Sequence, residues 1–335
     1  MKINISDMQE LMEGILLKRG VSRKDAQTVV EDYIWGEKEG KKSHGLMAFP
    51  LLVERIARLE RGKIVIERQG SSYALINGNK NFGQVVAKKA REIAIKKAKR
   101  TGVAVVGTYN MLPFLRPGTQ AKLIGEEGKI GIVINNGGIG AIAPIGSTDP
   151  ILATNPIGFS IPTRLISITA DFSTAKRAWG EVKVAKAEGR KLPLSTFMDK
   201  EGNFTVDPNK AYSVAPFGDY KGYALALLVE ILTGSLVNMP MGISPKDEKE
   251  GFRAGLRGAL FMVIDPEKFT DFDKFVGENS NLVNRIKASR KAKNVHEILV
   301  PGERSNRNVK KVEKQERFEV DEGLYNKIKC LCHEC

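Results

Sequence analysis

The chain has 335 residues, 42% of them hydrophobic and 7% aromatic, which is enough apolar material for a large core and a length that admits two or three domains. Its formal net charge of +14 would suit nucleic acid, but Lys and Arg alternate with Glu in stretches such as EKEGKK and ERIARLERGK. The dense basic runs 88–100 and 285–317 hold no aromatics for base stacking, so solvated helix faces are expected and a nucleic-acid partner is not.

The opening MKINISDMQE holds no apolar leader, and no apolar run reaches the roughly 18 residues of a membrane span, so a cytoplasmic chain without a membrane partner is expected. Ser6 with Gln9 forms a capping-box pattern that starts a first helix, in which Met8, Leu11, Met12, Ile15 and Leu16 repeat at helical spacing up to Gly20. Ser22 opens a second helix through Ala26, Val29, Val30 and Tyr33, ending near Gly40. A third begins at Pro50, carries Leu52, Ile56 and Leu59 on its apolar face, and closes at Gly62. Strands are expected at 63–66 and 73–76, with a turn at Asn77-Gly78-Asn79. A long amphipathic helix over about 83–100 feeds a buried strand at 103–106, and a helix near 120–127 leads to a strand at 130–134. This alternation predicts α/β architecture.

The middle, NNGGIGAIAPIGSTDPILATNPIGF, has no helical period and reads as an ordered, functional loop region. Strands at 158–161 and 165–169 follow, then a helix start at Ser173. Residues 220–236 are apolar almost all round, which predicts a buried central helix. A strand at 259–264 ends at Asp265-Pro266, residues 270–286 read as helix, and 298–300 as an extended segment broken by Pro301-Gly302. All three cysteines, Cys330, Cys332 and Cys335, lie in the last six residues with His333 among them. The body then has no disulfide framework, which fits a reducing compartment. The cysteine spacing is tighter than in usual zinc pairs, so a loose tail and no metal are expected.

No GxGxxG follows a strand, and Walker A, HExxH and GxSxG patterns are absent. Of three histidines, His44 stands out in Lys42-Ser43-His44-Gly45, past one helix end and before another. There it can be held as a proton donor at neutral pH, or it can be an ordinary loop histidine. Asp171-Phe172-Ser173, at a strand-to-helix step, suits phosphate or ribose hydroxyls, and equally suits plain N-capping by Ser173. Lys221, in Gly218-Asp219-Tyr220-Lys221-Gly222, heads the apolar helix and can hold a cofactor oxygen or pair with Asp219.

In this order the motifs resemble the malate/L-lactate dehydrogenase family, which is not of Rossmann type and also holds ureidoglycolate, sulfolactate and diketogulonate enzymes. The residues that carry the resemblance are Ser43-His44-Gly45, Ala143-Pro144-Ile145-Gly146, Thr154-Asn155-Pro156-Ile157-Gly158, Asp171-Phe172-Ser173-Thr174, Asp207-Pro208, Lys221-Gly222-Tyr223 with Val229-Glu230-Ile231-Leu232, and Val300-Pro301-Gly302-Glu303-Arg304. The resemblance spans about residues 1–320. It implies a mixed-sheet α/β fold with a helical N-terminal region, a homodimer, and NAD or NADP bound in extended form. It implies an N-terminal, substrate-side region over 1–110, a cofactor-binding domain over 111–300, and a C-terminal segment over 301–335 that returns to the N-terminal region. It implies cofactor contacts from Ile168, Thr169, Ala170, Asp171, Phe172 and Ser173, from Tyr220 and Lys221, from Gly302, Glu303 and Arg304, and from Thr154, Asn155 and Pro156. His44 with Ser43 is the implied acid/base, acting on a small 2-hydroxy or 2-oxo acid. A cyclic-imine reductase or a non-catalytic dinucleotide-binding protein are the alternatives.

The sequence departs from that pattern on the substrate side. Ala48 stands where many members have an arginine for the carboxylate, Leu52 where Tyr is common, and Pro113 where a second histidine is expected. Arg116 is the candidate replacement clamp, or equally a surface arginine paired with a nearby Glu, and Asn135 is a second substrate contact.

Overall fold

A computed structural model describes residues 1–243, 246 and 255–332. The chain opens with β1 (Lys2–Asn4), α1 (Ile5–Lys18), α2 (Arg23–Lys38) and α3 (Phe49–Ile56), with single helical turns at Lys42–His44 and Leu46–Ala48 before α3. On α1, Met8, Met12, Ile15 and Leu16 line one face and are fully buried. Ser6 lies inside this helix and caps nothing. The N–H of Ile5 is taken instead by the Glu316 carbonyl at 3.0 Å, so a distant backbone partner does the work expected of a side chain. On α2 the sequence reading holds, and Ser22 Oγ accepts from Asp25 N at 3.2 Å.

Next come β2 (Val65–Gln69), β3 (Tyr73–Asn77), α4 (Gly83–Thr101), β4 (Val103–Met111), α5 (Pro117–Glu126), β5 (Ile130–Asn135), β6 (Ile157–Ile161) and β7 (Ile168–Phe172). After α6 (Gly180–Glu188), β8 (Phe197–Met198), β9 (Phe204–Thr205) and β10 (Ser213–Val214) form a small separate sheet. The chain continues with α7 (Tyr220–Thr233), β11 (Arg257–Ile264), α8 (Phe272–Ala288), α9 (Glu303–Gln315), β12 (Arg317–Glu319) and α10 (Glu322–Cys330).

The main sheet has seven strands in the order β2-β3-β4-β11-β5-β6-β7. Only β3 and β4 run parallel, because α4 makes the crossover between them, and all other neighbours are antiparallel. The architecture is therefore a mixed-sheet α/β fold and not a doubly wound parallel one. Val86, Ala90, Ala94 and Ala98 of α4 pack on one face against Val106, Val133 and Phe261. Val229 of α7 packs on the other, against Ile134 and Leu260.

The N-terminal helices form a second core with the chain's end, since β1 pairs with β12 (Lys2 beside Glu319) and Phe318, Ile328 and Leu331 are buried among α1–α3. The boundary expected at residue 110 falls inside β4, so strands on both sides of it share one sheet.

Three expectations are corrected. No helix opens at Ser173, because Thr174 N bonds to Thr154 O at 2.9 Å and Lys176 N to Ala215 O at 2.8 Å, which keeps the backbone in loop pairings until Gly180. Helix α7 is not buried all round: Ala226, Val229 and Thr233 face the sheet, while Leu227, Leu228 and Ile231 are exposed. The stretch Tyr220–Val237 is apolar and long enough by composition to cross a membrane, although 39% of it is buried within this fold. Finally, the tail is not loose up to Cys332: Leu331 is buried, Arg19 donates to Leu331 O at 2.9 Å and Lys18 to Cys332 O at 3.0 Å. His333 and Cys335, which the zinc question concerned, lie outside the described residues.

Candidate active site

His44 sits on the connection from α2 to α3. Gly36 on α2 lets this connection approach, since a β-carbon there would come within 2.3 Å of the His44 carbonyl oxygen. Glu37 Oε2 accepts from Leu46 N at 3.2 Å and pins the far side of the same turn. Ser43 Oγ lies 3.0 Å from His44 Nδ1, which leaves Nε2 as the nitrogen for a ligand. Burial, followed by the positive fields of Arg116 and Lys41, pushes the imidazolium pKa down to about 4. His44 is therefore neutral at pH 7, with one ring nitrogen free to meet a substrate hydroxyl.

The imidazole lines a cavity of about 210 Å³ whose other walls include Ala48, Leu52, Arg55, Pro113, Asn135, Thr154, Pro156 and Arg257. Asn135, at the end of β5, is 5% exposed. Its Nδ2 donates to Asn136 O at 3.2 Å, while its Oδ1 is buried without a partner. A buried acceptor of that kind is costly unless a ligand or water meets it. At about 210 Å³ the cavity falls below the range of about 300–1,000 Å³ usual for drug-sized ligands, which suits a small substrate.

A second cleft, of about 460 Å³, runs along β7 and the start of α9 and is lined by Thr169, Ala170, Asp171, Phe172, Pro301, Gly302 and Arg304. Lys41, Lys122, Arg116 and Glu39 complete it. Gly302 has φ 97° and approaches β7 so closely that a β-carbon would lie 3.1 Å from Thr169 O. Thr169 N bonds to Pro301 O at 3.1 Å, which fixes the two segments as one wall. Arg116 Nε and Nη2 are buried without partners. Cations, a glycine-lined approach and orphaned donors together fit an extended anionic ligand that also carries hydroxyls. The segment 113–118 separates the two spaces: Pro113, Phe114 and Leu115 face His44, while Arg116 and Gly118 face the cleft.

Asp171 stands beside the N-terminus of α5 and accepts from Gly118 N. Burial pushes its carboxyl up to about 6, against the opposing field of Arg116. A helix terminus does serve this site, but it belongs to α5 and not to a helix at Ser173.

The structure thus brings Thr169, Ala170, Asp171, Phe172, Gly302 and Arg304 to one cleft, and His44, Asn135, Thr154 and Pro156 to the adjoining cavity. Other expected residues stand elsewhere. Ile168 and Ser173 flank the cleft without lining it, and Ser173 Oγ donates to Ala175 O at 3.2 Å. Glu303 turns away to Lys287 at 2.5 Å. Asn155 is fully buried and committed to Ala226 O at 2.9 Å and Glu230 Oε2 at 2.7 Å. Tyr220 and Lys221 are exposed at the mouth of α7 and line neither space. Arg116 lines the cleft and pairs with Glu39 Oε2 at 2.5 Å, both side chains buried. Sequence reading missed Arg55, although helical spacing from Ala48 and Leu52 could have found it, and missed Arg257, which no local signal marks.

Residues 3–329 match the family model described as malate/L-lactate dehydrogenase. The chain is 38% identical over 339 residues to the malate/(S)-sulfolactate dehydrogenase of Methanothermus fervidus, covering 100% of this chain and 98% of that one. It is 33% identical to the malate dehydrogenase of Pyrococcus abyssi over 87% of this chain and 83% of the relative. The solved sulfolactate dehydrogenase of Methanocaldococcus jannaschii superposes with a TM-score of 0.89 at 34% identity, covering 100% of this chain and 97% of that one.

Proposed function

The chain belongs to the malate/L-lactate dehydrogenase family, and on that premise we propose that it interconverts a small 2-hydroxy acid and its 2-oxo acid with NAD or NADP, using His44 as acid/base. The observation that carries this reading is a neutral, half-buried His44 in a small cavity beside a cation-lined cleft.

Thr169 to Phe172, Gly302 and Arg304 are the residues that would hold the dinucleotide, with Lys41 and Lys122 facing its phosphates. The bound cofactor supplies or accepts a hydride at the substrate carbon. His44 Nε2 takes the hydroxyl proton as the alcohol is oxidised, and returns one to the oxygen in the reverse direction. Ser43 is a positioning residue, since its hydroxyl on Nδ1 fixes the ring. Asn135 Oδ1 offers a buried acceptor to the substrate hydroxyl.

A homodimer is part of the same reading. On the outer face of α7 and just beyond it, Leu228 is 50% exposed, Ile231 44%, Leu236 56% and Met241 43%, an apolar patch of the kind that partner subunits cover. The test is a turnover screen with both reduced cofactors against 2-oxo acids that include oxaloacetate and sulfopyruvate, and against cyclic imines. Reduction of a 2-oxo acid is expected. Turnover confined to imines would move the chain to a different reaction, and absence of NADH and NADPH binding would sink the reading.

A further inference from the structure

Two arginines line the His44 cavity, and neither is the one that sequence reasoning favoured. Arg116 pairs with Glu39 through one nitrogen and lines the neighbouring cleft, not this cavity. Arg257 spans the cavity wall over Gly138 and donates to Leu256 O at 2.9 Å. Arg55 differs from both. It stands half-buried in the last turn of α3, and it forms no hydrogen bond or ion pair with the described residues.

Helix periodicity explains how Arg55 reaches the cavity. Residues 48, 52 and 55 recur at i, i+4 and i+7, so they share one face, and all three line the cavity. Ala48 and Leu52 bring no charge to that face. The cation therefore sits about 10 Å further along the helix axis, at 1.5 Å per residue. Its field reaches the Tyr33 hydroxyl, another wall of the same space. Gly255 lies alongside: a β-carbon there would be in ordinary contact, 3.7 Å, with the Arg55 guanidinium. A cation on the wall of the cavity that also holds His44 and the orphaned Asn135 Oδ1 has the chemistry of a carboxylate clamp.

We propose that Arg55 binds the carboxylate of the substrate, placing the carbinol carbon between the clamp and His44. This inference rests on the reading of the chain as a 2-hydroxy-acid dehydrogenase, and names the residue that selects an acid.

The test uses the full-length protein and oxalate, a non-reacting mimic of a 2-oxo acid, titrated into the NADH-bound form by fluorescence. Arg55→Ala is expected to raise the oxalate Kd, and the KM of any acid turned over, by 10- to 100-fold, which is the scale of one lost charge-assisted bond. NADH affinity should stay within twofold, and Arg55→Lys should fall between the two. Millimolar guanidinium should restore part of the Arg55→Ala loss, which a merely structural role for Arg55 would not predict. Arg116→Lys should shift the NADH Kd and leave oxalate alone. Unchanged oxalate affinity in Arg55→Ala, or no oxalate binding by the wild type, overturns the clamp. If oxalate binds through Arg55 but no 2-oxo acid is reduced, the clamp stands and the proposed reaction fails.

Discussion

Arg116 Nη1 and Glu39 Oε2 lie 2.5 Å apart, joining the segment after β4 to the end of α2 with side chains only 6% and 10% exposed. Asp171 and Asp32 add their fields to Arg116, so one guanidinium balances three carboxylates. Removing one member of a buried pair strands the other, which costs about 3–5 kcal/mol, whereas replacing both with apolar groups is far milder. Glu39→Ala is therefore expected to lower stability by about that amount, and Glu39→Ala with Arg116→Met to recover much of it. Urea unfolding of the two single variants and the double variant checks this. Strictly additive losses would show that the pair does not act as a unit.

Among the described residues His44 is the one histidine that lines either space, since His296 is exposed and lines neither. His44→Ala is expected to lower kcat by about 10²–10⁴ while leaving cofactor affinity unchanged, and His296→Ala to do little. Equal turnover in wild type and His44→Ala would remove this residue from the mechanism.

A stability prediction follows from the same group. Its folded pKa of about 4 lies below the ordinary 6.5, so the unfolded chain binds the proton more readily. Stability attributable to His44 is intact above pH 6.5 and falls as the pH drops through the window down to about 4. Asp171, raised to about 6, acts with opposite sign, because its buried charge is relieved as pH falls below that value. The contrast between wild type and His44→Asn isolates the histidine: the variant should lose less stability between pH 6.5 and 4, by roughly 1–3 kcal/mol. Parallel pH curves would show that the ring is not desolvated.

Much of this arrangement is legible in the sequence because it is written locally. The α1 stripe, the Ser22 cap and the strand at Ile130–Asn135 follow from spacing within a few residues. His44 and Asp171 are singled out by the short motifs that surround them, and each lines one of the two spaces. What escaped depends on contacts between distant segments. The Glu316 carbonyl supplies the α1 terminus, and loop pairings with Thr154 and Ala215 replace a helix at Ser173. Glu39 captures Arg116 across the whole of α4 and β4. Apolar composition marked α7 as a core helix, but composition cannot say whether the second apolar face meets its own chain or another.

That exposed face gives a direct test of assembly. Leu228 and Ile231, half and 44% exposed on α7, lie one turn apart and point away from the sheet. Leu228→Glu should leave the fold intact, because the side chain is half exposed, and should weaken dimerisation by tenfold or more. Sedimentation velocity over a concentration series checks this. A wild type that stays monomeric at high micromolar concentration would remove the dimer from the proposal.

The chain's end offers the last prediction. Residues 330–335 carry all the cysteines, and a dispensable tail would leave stability untouched when removed. The fold divides that segment at Leu331. Leu331 is 8% exposed among α1–α3, and its carbonyl accepts from Arg19 at 2.9 Å, whereas Cys330 is exposed. Leu331→Ala is expected to cost about 2–3 kcal/mol, toward the low end for a leucine at the edge of a core. Cys330→Ser should stay within about 0.5 kcal/mol of wild type, as surface substitutions do. Removing residues 333–335 should likewise leave the Tm nearly unchanged, while removing 331–335 should lower it by several degrees. Cofactor affinity should follow neither truncation at 25 °C, because the cleft between β7 and α9 shares no residue with this core. Thermal unfolding with and without NADH separates the two effects. A tail deletion that abolishes NADH binding while the protein stays folded would tie the chain's end to the cofactor cleft.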